Sequence, residues 1–110
     1  MNEQDRIQHA IDTAKDQVKK AESLERLWRN KDFQALVVNG FMLEEAAHAI
    51  RNSVCTVFSE DSRKALIGKA QAAGYLSEYF EQIRRSKENA EVTIRDNTQF
   101  LLDAQHEESI

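Results

Sequence analysis

The residues with the best claim to chemistry are Glu45-Ala46-Ala47-His48. Three positions apart, a carboxylate and an imidazole share one face of a helix, the spacing that di-iron bundles use to hold a metal. Such a centre needs a second pair and two further inward carboxylates. The only other pair of this kind is Asp103-Ala104-Gln105-His106, which falls where a last helix is expected to fray. A surface histidine beside a glutamate is the ordinary reading of both, and no metal or other cofactor is expected. His9 sits among charged and small neighbours, with no Ser-His-Asp or Cys-His spacing around it. Gly40, Gly68 and Gly74 are too far apart to form a phosphate-cradling loop. Cys55, flanked by Val54 and Thr56, reads as a small buried apolar residue. The sequence therefore points away from an enzyme, and no residue is assigned a catalytic role.

What the chain does carry is periodicity. Leu76, Phe80, Ile83, Lys87, Ala90, Ile94, Asn97 and Leu101 follow steps of 4, 3, 4, 3, 4, 3, 4. That heptad repeat lays one narrow stripe along a helix, and such a stripe needs another helix to cover it. Ile7, Ile11, Ala14, Val18, Ala21 and Trp28 keep the same period, with Glu25 at the position between the last two. The matching stripes predict an all-α fold: two long terminal helices in an antiparallel hairpin or coiled-coil stalk, with a short-helix head between them. The expected organisation is a single helical domain over 1–110, with the first long helix at 1–29, the head at 32–73 and the last long helix at 75–105. Ile7, Ile11, Val18, Trp28, Leu76, Phe80, Ile83, Ile94 and Leu101 are the expected packing and self-association stripe. Lys87 and Asn97 would either fix register on that seam or lie beyond the partner helix and face water. Trp28, Tyr75, Tyr79 and Phe80 read as core, or as an interaction patch if exposed.

The middle is the most apolar part. Asn30 or Asp32 can cap a new start for the short run Asp32–Val38, and Asn39-Gly40 reads as its stop, because both residues tolerate the left-handed conformation. A third helix is expected from Met42 to Phe58, with Phe41, Leu43, Ala46, Ala47, Ile50, Val54, Val57 and Phe58 in the core. A loop at Ser59–Ser62, with Asp61 or Ser62 as cap, leads to a short helix through Ala73, interrupted or kinked at Gly74.

Composition agrees with a helical reading. The 110 residues include no proline and three glycines, and Ala, Glu, Gln, Lys, Arg and Leu dominate. Fifteen basic and nineteen acidic side chains give a formal charge of −4, with the signs interleaved. Lys15/Lys19/Lys20 and Arg84/Arg85/Lys87 are each bracketed by acids. They read as solvated faces rather than a phosphate-binding patch, which disfavours nucleic acid as a partner. A helix-turn-helix reading of 32–57 suffers from Glu44 and Glu45, which would face phosphates. No stretch approaches the ~20 apolar residues of a membrane span, the start Asn2–Asp5 is unlike a signal peptide, and one cysteine makes no internal disulfide.

Leu24 and Leu27, then Asn30-Lys31-Asp32-Phe33, Asn39-Gly40-Phe41, Glu44-Glu45-Ala46, Gly74-Tyr75-Leu76 and Ala90-Glu91-Val92-Thr93-Ile94 form an order of short motifs over roughly residues 24 to 95. That order resembles small helical proteins encoded among the head and tail genes of tailed bacteriophages. The resemblance implies a non-enzymatic virion or virion-assembly protein, found in the host cytoplasm or the virion. It implies protein partners and a homo-oligomer, and brings no catalytic residues. The alternative expectation is a small acidic inhibitor or regulator of a host or phage enzyme.

Overall fold

The computed structural model describes residues 2–109, and every regular element among them is helical. Helix α1 spans Glu3–Trp28. A single α-turn, α2, spans Lys31–Phe33 and passes directly into a π-helical segment over Gln34–Glu45. Helix α3 continues over Ala46–Ser53, and helix α4 covers Glu60–Ser109. No helix is long and apolar enough to cross a membrane among the described residues.

The local sequence explains where these elements start. Asn2 Oδ1 accepts from the Asp5 N–H at 2.7 Å, and Asn30 Oδ1 from the Phe33 N–H at 2.9 Å. Ser59 Oγ accepts from the Ser62 N–H at 3.1 Å, so Ser59, rather than Asp61 or Ser62, caps α4. Glu3 and Asp5, and then Glu60 and Asp61, place negative charge at the positive ends of the two long helices. The turn after α1 tightens through Arg29 and Asn30 N–H bonds to the Arg26 and Leu27 carbonyls. It is stapled by the Gln34 side-chain amide, which donates to the Trp28 carbonyl at 2.6 Å.

Two expected breaks do not occur. The last helix begins at Glu60, not near Tyr75, and runs through Gly74 without interruption. A glycine costs a helix only about 1 kcal/mol against alanine, too little to stop fifty residues of favourable pattern. It also continues past Gln105 to Ser109, while Ile110 lies outside the described residues. The Asn39-Gly40 stop is likewise absent, and no described residue has a positive φ. The chain instead widens into π winding, with i→i+5 hydrogen bonds in place of i→i+4. Gly40 supplies the room: a Cβ there would lie 2.9 Å from the Ala35 carbonyl oxygen five residues back. The expected Met42–Phe58 helix is therefore π-helical to Glu45 and α-helical only to Ser53.

The chain divides into two compact units, one made of residues up to Leu24 with those from Gln82 onward, the other of Glu25–Glu81. In the terminal unit α1 meets α4 along the two heptad stripes. Ile11, Ala14, Ala21, Leu24, Ile83 and Ala90 are buried, and Ile7, Val18, Ile94 and Leu101 are half-buried. Lys87 and Asn97 are also half-buried, on the seam rather than beyond it. Glu25 is exposed, and Leu24 takes the buried place the strict period assigned to it. Asn97 lines a small hollow with Glu3, Arg6, Ile7 and Ala10; in the middle unit Trp28 meets Phe80 edge to face. The start of α1 thus meets late α4 and its end meets earlier α4, which makes the two helices antiparallel.

Candidate protein-interaction surface

The middle unit is built around three rings. Trp28, Phe33 and Phe80 meet pairwise at centroid distances of 5.9, 5.8 and 5.9 Å, all edge-to-face. That geometry sets the positive edge of each ring against the negative face of the next. Phe80 is buried and Trp28 half-buried, and the cluster joins α1, α2 and α4. Farther along, Ala49 of α3 and Ala73 of α4 are buried. Alanine at such positions lets two helices approach closely, at the expense of apolar area covered.

Two helical layers bury only one stripe each. Many of the other large apolar residues of this unit stay exposed. Leu43, Ile50, Val54, Val57 and Phe58 were expected in the core, and all are exposed, from 42% for Phe58 to 88% for Val57. Tyr75 and Tyr79 are exposed as well, while Leu76 is half-buried on the inner stripe. The expected core positions Phe41 and Ala46 are half-buried, and Ala47 is exposed.

Leu43, Ala46, Ala47 and Ile50, with Met42, line one side of an open apolar groove of about 620 Å³. Ala70, Ala73, Gly74 and Ser77 of α4, with Gln71, line the other. The groove carries no titratable side chain and can do no proton transfer. Its features are shape and apolar surface, which suit a protein partner.

Glu45 and His48, the pair with the best claim to chemistry, hold no further ligating side chain. No group of three or more His, Cys, Asp or Glu side chains comes together among the described residues. Glu45 Oε2 accepts a hydrogen bond from Lys69 Nζ at 2.6 Å, which clips the end of the π segment to α4. That hydrogen bond, reinforced by the Lys69 charge and more weakly by His48, holds the Glu45 carboxyl below its ordinary value near 4.5. Cys55 is half-buried in the turn after α3 rather than in a core. Sequence reasoning assigned the groove residues Leu43, Ala46, Ala47 and Ile50 to a core. The overlooked signal was their number: an Ala-rich two-layer head has too little interior for them.

No family model, no curated protein and no solved structure matches the chain.

Proposed function

We propose that this chain is a non-enzymatic helical interaction protein that works by self-association and by docking onto other proteins. Phage particle assembly or structure is the setting that the motif order over residues 24 to 95 implies. One observation carries the reading. The middle unit leaves ten large hydrophobic side chains exposed, and two of them, Leu43 and Ile50, line an apolar groove. Single exposed apolar residues are common on any surface, but a contiguous patch marks a site of association.

Sedimentation equilibrium or light scattering of the full chain, from micromolar concentration upward, tests it. The expected mass is a multiple of 12.7 kDa. A strict 12.7 kDa monomer that also captures no partner would overturn it.

A further inference from the structure

We infer that the occupant of the groove is a second copy of this chain, lying antiparallel across a two-fold axis at Ala46–Ala47. The inference rests on the self-association reading above and names the surface and register through which it acts.

A two-fold interface requires one surface patch to complement itself: whatever residue i meets, its mate must meet i in return. The near side of the groove has that property. Leu43, Ala46, Ala47 and Ile50 are spaced 3, 1 and 3, a pattern that reads the same from either end. Reversal about its centre brings Leu43 of one copy onto Ile50 of the other and sets alanine against alanine. Large side chains then flank a small-residue crossing, which allows close approach. Leu43 and Ile50 are 60% and 51% exposed, so both are available to be covered. The far side of the groove, Ala70, Ala73 and Gly74, is small enough to receive them.

Charge selects the direction. Glu44 follows Leu43 and Arg51 follows Ile50, and both are exposed. A parallel pairing would leave Glu44 and Arg51 seven residues, about two turns, out of register. An antiparallel pairing puts each carboxylate beside the other copy's guanidinium, twice per dimer. Such a pairing suppresses the wrong register more than it adds affinity. The product is a four-helix arrangement in which each copy contributes the 31–53 and early α4 segments, a common solution for helical hairpins too thin to hide their own apolar faces.

The test uses the full chain. Leu43→Asp is exposed in a single copy, so helicity by far-UV circular dichroism stays at the wild-type level, while self-association weakens by roughly tenfold or more because a charge is buried against Ile50 of the second copy. Glu44→Arg and Arg51→Glu each weaken self-association several-fold, and the double variant recovers it. In a Cys55→Ser background, Ala47→Cys forms a disulfide-linked dimer under mild oxidation, and Thr13→Cys, on the exposed face of α1, does not. A wild-type oligomer that Leu43→Asp leaves intact and Ala47→Cys fails to cross-link overturns the inference and leaves self-association standing through another face. A double charge variant no better than the single ones overturns the antiparallel register. A wild-type monomer at every concentration overturns both the inference and the reading beneath it.

Discussion

The two units are of similar size, yet they treat their apolar residues differently. The terminal unit closes its seam. Its large exposed hydrophobics are Val92, Phe100 and Leu102, scattered near the end of α4. The middle unit keeps a short aromatic core and leaves Leu36, Leu43, Ile50, Val54, Val57 and Tyr75 at half exposure or more. The difference is one of pattern. In α1 and late α4 the apolar residues fall on one heptad stripe, which a single partner helix covers. Over 33–58 they are too many and too widely spread around the helix for one partner. A helix that is apolar on more than one face is stable only with more than one neighbour.

The comparison breaks first at the aromatic cluster. Phe80→Ala removes the ring that both Trp28 and Phe33 pack against, and is expected to cost about 3–5 kcal/mol. Leu36→Ala, at a side chain 74% exposed, should stay within about 0.5 kcal/mol. Urea titration of both variants measures this. Comparable losses at the two positions would mean that Leu36 is covered in solution.

In the terminal unit the sharpest probe adds bulk. Ala90 is 1% exposed, with no room for a larger side chain. Ala90→Leu should therefore lose about 1–3 kcal/mol by thermal or urea unfolding, through forced separation of the two helices. No change in the midpoint would show that this seam is looser than its burial indicates.

The terminal stripes were legible before any coordinates because a period of 3.5 is a statement about geometry. Ile11, Phe80, Ile83 and Ala90 had to face a helix, and they do. The sequence says less at Asn39-Gly40 and Gly74. A glycine permits a turn without requiring one, and flanking helix formers outweigh it. The groove was the least legible feature. Leu43 and Ile50 are equally apolar whether covered by their own chain or by another, so composition identifies a buried residue without saying whose surface buries it.

The glycines separate the two kinds of helix. Gly40→Ala places a methyl against the Ala35 carbonyl, a backbone atom that moves only if the π segment rewinds. The helix-propensity gain of about 1 kcal/mol offsets part of an overpacking cost of about 1–3. A net loss near 1 kcal/mol is expected. Gly68→Ala meets nothing within 4 Å and should gain about 0.5–1 kcal/mol. Opposite signs in a paired thermal melt support the π winding. Equal gains would mean that 34–45 is ordinary α-helix.

The smallest expected effect belongs to the Glu45–Lys69 clip, because both side chains are about half exposed and water screens the pair. Its sign is nevertheless fixed. The Glu45 carboxyl titrates lower in the folded chain than in the unfolded one, first through the Lys69 hydrogen bond and then through its charge. The folded state therefore binds fewer protons near pH 4.5, and the clip's contribution is complete above that value. It disappears as pH falls through the lowered folded value. Glu45→Gln should melt slightly below wild type at pH 7, and the two curves should converge in acid once the pH has fallen through that lowered value. A difference that persists unchanged below the carboxylate range would mean that Glu45 acts through packing of its stem rather than through its charge.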